Sequence, residues 1–134
     1  MKKFEKHLSA NDAGETGGHQ AGLLIPKGQQ ELIEMLPYLD PSIKNPDAWI
    51  RCIDSFGDSW ELRYIYYNNK FHDEKGTRNE YRITHMTKYL RTFGAKEGSV
   101  FVISKIDHDD VFNIALENEI ISGKIKLRGW KKVY

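Results

Sequence analysis

Cysteine is almost absent. Cys52 is the only one in 134 residues, which excludes an internal disulfide and any zinc site built from several thiolates. Its setting, Ala48-Trp49-Ile50-Arg51-Cys52-Ile53, reads as strand interior, so the free thiol is expected in the core. No stretch reaches the ~18 apolar residues that a membrane-spanning helix needs, and the opening Met1-Lys2-Lys3-Phe4-Glu5-Lys6-His7 lacks the apolar run of a secretory signal. A cytoplasmic protein with no membrane partner is expected. A strong charge of one sign is missing too: 20 Lys and Arg against 19 Asp and Glu leave a net charge of +1, so bulk charge does not point to nucleic acid.

Catalytic patterns are equally scarce. The five histidines, His7, His19, His72, His85 and His108, show no metal-ligand spacing. Gly14-Glu15-Thr16-Gly17-Gly18 precedes a strand instead of opening a helix, which argues against a dinucleotide turn or a P-loop. Asp107-His108-Asp109-Asp110 offers hard ligands, but four adjacent turn residues cannot converge on one cation, and the glycine spacing of a calcium loop is missing. One nuclease outline survives, Asp47 with Glu61-Leu62-Arg63, in which two carboxylates would hold a metal. It has arginine where the compact ammonium of a lysine is expected, and Asp47 follows Pro46 in what reads as a loop.

What is present is a single domain's worth of chain with 40% hydrophobic and 29% charged residues, ordinary for a globular fold. Seven Tyr, six Phe and three Trp favour sheet. Strands are predicted over 21–25, 48–54, 60–67, 81–85, 100–103 and 111–116, with a hairpin turn at 55–59. In the strand 60–67, Trp60, Leu62, Tyr64 and Tyr66 share one face, so most of these aromatics are assigned to the core. Leu32, Ile33 and Leu36 predict a helix of about two turns over 29–36, stopped by Pro37, and 87–93 reads as a second short helix. About seven short strands with turn signals predict a mainly β barrel or sandwich with one or two short helices.

Charge is unevenly placed. Lys70, Lys75, Arg78, Arg82, Lys88 and Arg91 fall within 22 residues, and Lys124, Lys126, Arg128, Lys131 and Lys132 close the chain. Two polar loops stand out. One carries Ser9, Asn11, Asp12, Thr16, His19 and Gln20; the other carries Lys75, Thr77, Arg78, Asn79, Glu80 and Arg82. Arg suits the two acceptors of guanine, Asn and Gln suit adenine, Asp and Glu accept from the cytosine amino group, and Ser, Thr and Lys hold phosphates. By residue type alone, a row of ion pairs Arg78-Glu80-Arg82 on a strand edge is the simpler reading, each exposed pair being worth about 0.2–1 kcal/mol. Stacking of single strands on Tyr66, Tyr67, Trp130 and Tyr134 is a third possibility.

Two longer segments go further. Leu8-Ser9-Ala10-Asn11-Asp12-Ala13-Gly14-Glu15-Thr16-Gly17-Gly18-His19-Gln20-Ala21-Gly22-Leu23-Leu24-Ile25-Pro26 resembles the opening arm of the EcoRII N-terminal domain family of restriction endonucleases. Ile65-Tyr66-Tyr67-Asn68 followed by Gly76-Thr77-Arg78-Asn79-Glu80-Tyr81-Arg82-Ile83-Thr84 resembles that family's second arm. The chain departs from the family pattern at Leu24, at Lys75-Gly76 and at Tyr81. The resemblance implies a seven-stranded open pseudobarrel of the plant B-three type, gripping the major groove of double-stranded DNA between two arms. Ser9, Asn11, Asp12, Thr16 and His19 would then belong to the first arm, and Arg78, Asn79, Glu80 and Arg82 to the second. It also implies a short CCWGG-like site, with Arg78 and Arg82 on guanine and Glu80 or Asp12 on cytosine. A separate C-terminal nuclease domain of the same chain would be targeted or regulated. Binding is expected to need no cofactor, Mg2+ being reserved for that nuclease domain, and residues 1–134 are expected to be one domain of a longer prokaryotic enzyme.

Overall fold

The computed structural model of the chain describes residues 1–14, 22–118 and 129–133. Its strands are β1 Lys2–His7, β2 Leu23–Ile25, β3 Asp47–Ile53, β4 Ser59–Tyr67, β5 Glu80–Thr84, β6 Val100–Lys105, β7 Phe112–Glu117 and β8 Trp130–Lys132. The helices are α1 Gln30–Met35 and α2 Thr87–Thr92. One sheet holds all eight strands in the order β2-β5-β4-β3-β7-β6-β1-β8. Neighbours run antiparallel except β3 and β7, which are parallel.

The sheet curls until its two edge strands meet without forming a ladder. Instead the Trp130 indole N–H of β8 donates to the Leu24 carbonyl of β2 at 2.9 Å, and the Gln29 amide donates to the Trp130 carbonyl at 3.4 Å. This is an open pseudobarrel with a side-chain seam, and the seam satisfies edge groups that would otherwise be left to solvent. Its interior is one apolar cluster that includes Phe4, Leu32, Ile50, Cys52, Leu62, Tyr64, Ile83, Tyr89, Phe101 and Ile114. Cys52 is fully buried as expected, and burial pushes its thiol up to about 12.

Eight strands stand among the described residues where seven were expected. The additional pairing is that of β1 with β8 and β6. Both β1 and the edge strand β8 are written in lysine, at positions 2, 3 and 6 and at 131 and 132, which hid their alternation. Phe4, Lys6 and Leu8 nonetheless point inward, and Lys6 is 8% exposed because its ammonium turns to the Asp12 carboxylate. Asp47, expected in a loop, is the first residue of β3, and His85 lies just beyond β5 with a left-handed φ of 62°.

Candidate nucleic-acid interface

Alternation along β4 and β5 separates the interior from the candidate site. Leu62, Tyr64 and Tyr66 of β4 and Ile83 of β5 face the core, whereas Arg63, Tyr67, Glu80, Arg82 and Thr84 are only partly covered. Cross-strand register aligns Leu24, Arg82 and Ile65 in one row, and Glu80 with Tyr67 in the next. Two polar segments lead into the strands of this outer surface. The segment 8–22 leads into the start of β2, and the segment 68–79 leads into the start of β5. Because β2 and β5 are antiparallel, the points where Gly22 enters β2 and Asn79 enters β5 lie at opposite ends of the shared ladder.

The second loop is fixed at its base by Asn68, which is 0% exposed. Its amide donates to the carbonyls of Pro41 and Ile43 at 3.2 and 2.9 Å, and its side-chain oxygen accepts from the Asn45 N–H at 2.7 Å. A buried amide with every partner in place anchors the loop rigidly. Asn69 accepts from the Arg78 N–H at 2.8 Å, and the Lys70 N–H donates to the Arg78 carbonyl at 3.1 Å, drawing the two limbs together. Gly76 is required at this crossing, since a Cβ there would lie 2.1 Å from the Asn69 carbonyl oxygen. The loop thus presents Lys75 and Thr77 as exposed residues near its tip.

Arg78, Glu80 and Arg82 form one connected group on the outer surface. Arg78 Nε and Nη2 both reach Glu80 Oε1 at 2.9 Å, and Arg82 Nε and Nη2 reach Oε2 at 3.2 and 3.1 Å. Four N–H groups therefore occupy the roughly four acceptor positions of one carboxylate. Desolvation raises the Glu80 carboxyl pKa, but the hydrogen bonds and charges of Arg78 and Arg82 outweigh it and hold the group below its ordinary value. Each guanidinium is gripped by its side edge, so the forked Nη1/Nη2 end is directed away from the carboxylate. Arg78 also lies over the Tyr67 ring, its guanidinium carbon 3.6 Å from the ring centre. Arg82 Nη1 donates to the Gly22 carbonyl at 3.4 Å, joining the root of the first loop to β5. Gly22 has φ +85° and a Cβ on it would meet the Ile83 carbonyl oxygen at 2.2 Å, so only glycine lets the chains approach this closely.

Asn79 is tied inward: its side-chain oxygen accepts from the Tyr66 hydroxyl at 2.6 Å and from Lys27. In the first loop Ser9 and Asp12 bond reciprocally, each backbone N–H donating to the other's side chain at 3.1 Å, and Lys6 pairs with the same carboxylate. Asn11 is exposed on this turn. Ser9, Asn11 and Asp12 are therefore brought together, while Thr16, His19 and Gln20 lie outside the described residues. The supporting roles of Tyr67 and Asn68, both quoted in the second-arm segment, and of Asn69 escaped the sequence reading. Tyr67 looked like one more stacking aromatic, and only its odd position on a strand whose even positions are core marked it as outward-facing.

Comparison with known proteins agrees with this geometry. The family model described as "Restriction endonuclease EcoRII, N-terminal" matches residues 1–124. The chain belongs to the EcoRII N-terminal domain family. The type II restriction enzyme EcoRII of Escherichia coli is 34% identical over 145 aligned positions, covering 91% of this chain. The chain spans 35% of that relative's length. Two solved structures share the fold: an Arabidopsis FUS3–DNA complex, with TM-score 0.64 and 18% identity over 88% of this chain and 98% of the other, and the UbaLAI restriction endonuclease B3 domain with cognate DNA, with TM-score 0.56 and 21% identity over 98% and 85%.

Within this EcoRII-type domain the rival sites come apart. Asp47 pairs in register with Ile65 and Glu61 with Arg51, so the two carboxylates are four ladder positions, about 13 Å, apart. That is too far for both to ligate one Mg2+, whose oxygen ligands lie about 2.1 Å from the ion. Asp47 is moreover bound to Arg63 Nε at 2.7 Å, and the described residues contain no group of three His, Cys, Asp or Glu able to hold a metal. Asp47 and Glu61, placed so, do not fit a shared Mg2+. Single-strand stacking loses its platform as well, because Tyr66 and Trp130 are each 6% exposed and Tyr67 is covered by Arg78; Tyr134 lies outside the described residues. Of the closing basic group, Lys132 pairs with Glu31, and Lys124, Lys126 and Arg128 lie outside the described residues.

Proposed function

We propose that the chain is the double-stranded-DNA recognition domain of a prokaryotic, cytoplasmic restriction endonuclease. It inserts the outer surface of β2, β5 and β4 into the major groove with an arm on either side. The carrying observation is the Arg78-Glu80-Arg82 group on that surface. Two arginine forks pre-set by one carboxylate, with little net charge elsewhere, suit base reading better than phosphate attraction. The relatives support this reading: one is a restriction enzyme, and both structural neighbours are DNA complexes.

Arg78 and Arg82 read guanine, while Glu80 or Asp12 accepts from cytosine after giving up one of its present partners. Ser9, Asn11, Thr16, His19, Gln20, Lys75, Thr77 and Asn79 contact bases or hold the backbone. The site is a short CCWGG-like sequence. Binding requires no cofactor, and it targets or regulates a nuclease domain carried elsewhere in a longer chain, which alone uses Mg2+. Competition binding tests the reading: Arg82→Ala and Arg78→Ala should each lower the preference for a CCWGG duplex over a scrambled duplex by about 1–3 kcal/mol, and unchanged preference in both would refute it.

A further inference from the structure

Arg78 is held on two sides, and the second support is not a polar group. Glu80 takes its side edge, while the Tyr67 ring lies under its plane at 3.6 Å. Tyr67 and Glu80 are cross-strand partners on β4 and β5, so both supports rise from adjacent points of a fixed ladder, one residue from the buried, fully bonded Asn68. From this geometry we infer that Tyr67 is a positioning residue for guanine recognition: its ring sets the plane in which the Arg78 fork meets a base edge. This rests on the DNA-reading function proposed above.

A guanidinium has one free rotation about its last side-chain bonds that a single hydrogen-bonded edge restrains poorly. Two N–H groups on one oxygen, as here, act as a hinge and not as a clamp. Stacking on a ring removes that remaining freedom. Bidentate contact with the O6 and N7 of guanine requires the fork to be coplanar with the base pair. If DNA draws Glu80 toward cytosine, the hinge opens and the ring is the support that persists. Tyr67 therefore matters most when the complex has formed.

The test uses this chain and a CCWGG duplex in which each guanine in turn is replaced by 7-deazaguanine, which keeps O6 but lacks the N7 acceptor. In the wild type, the analogue at the guanine read by Arg78 should weaken binding about tenfold, and Arg78→Ala identifies that position by abolishing the penalty. Tyr67→Leu should reduce the penalty at that position to about twofold or less, leave the penalties at the other guanines intact and leave the salt slope unchanged. Tyr67→Phe, which keeps the ring, should retain the full penalty. In the Arg78→Ala background Tyr67→Leu should change nothing further at that position.

A Tyr67→Leu protein that still shows the full penalty, or that weakens uniformly on all duplexes including a scrambled one, overturns the inference. A wild type with no analogue penalty at any guanine overturns both the inference and the base-reading function on which it rests, so the two failures are told apart by the wild-type row of the same experiment.

Discussion

Tyr66 and Tyr67 are neighbours in sequence and belong to different regions of the molecule. Tyr66 turns inward, 6% exposed, stacks on Tyr81 with ring centres 4.3 Å apart and serves the packing. Tyr67 turns outward and carries the Arg78 guanidinium. The same contrast runs along β4 and β5: one face is a set of apolar contacts with Leu62 and Ile83 at its centre, and the other is a polar group whose members are bonded chiefly to one another. Packing and the proposed recognition fall on alternate residues of the same two strands, so substitutions on the two faces should separate cleanly.

The largest effect is expected inside. Phe101→Ala, at a 0% exposed position packed edge-on against Tyr89 and Trp130, should cost about 3–5 kcal/mol in urea or thermal unfolding. Next is Gly76→Ala, which forces a Cβ onto the Asn69 carbonyl. It should destabilise by about 1–3 kcal/mol and disturb the arm, lowering DNA affinity by more than the same loss of stability introduced at a remote core position. Outside, Arg82→Ala, which breaks a partly exposed ion pair with Glu80, should cost about 0.2–1 kcal/mol in unfolding while lowering the preference for the CCWGG duplex by about 1–3 kcal/mol. If its stability loss instead matched that of Phe101→Ala, the separation of faces would fail.

The smallest effect is a pH dependence. The folded Glu80 carboxyl is held below its ordinary value of 4.5 by its two arginines. Its contribution is therefore present above that pH and withdrawn as pH falls through the depressed folded value. Acid titration of unfolding should show a shallower loss below pH 4.5 in Glu80→Gln than in the parent, and superimposable acid limbs would contradict the ion-pair assignment.

The inward face was the legible one. Alternation in Trp60-Glu61-Leu62-Arg63-Tyr64 placed β4 and its core side correctly, and Cys52 read as strand interior. Lysine at positions 2, 3, 6, 131 and 132 concealed β1 and β8, because an inward Lys6 whose charge is met by Asp12 breaks the apolar pattern without breaking the strand. On the outer face residue types were ambiguous: Arg78, Glu80 and Arg82 do form the ion pairs that composition suggested, and the base-reading role is the one proposed for them above. The likeness of two segments to known arms pointed to the family that the whole-chain comparison shows, which periodicity could not. Roles that depend on distant partners, such as Asn68 bonding to Pro41, Ile43 and Asn45, leave no local pattern to read.

The most direct test of the central claim, that the outer face reads a duplex sequence, is a fluorescence-anisotropy titration of the chain against a CCWGG duplex and a scrambled duplex of equal length. It is run at two salt concentrations without Mg2+. A preference of about 4 kcal/mol or more for the CCWGG duplex, with a moderate salt slope, is expected if the arms read bases. Equal and steeply salt-dependent affinity for both duplexes would contradict sequence-specific recognition of that site.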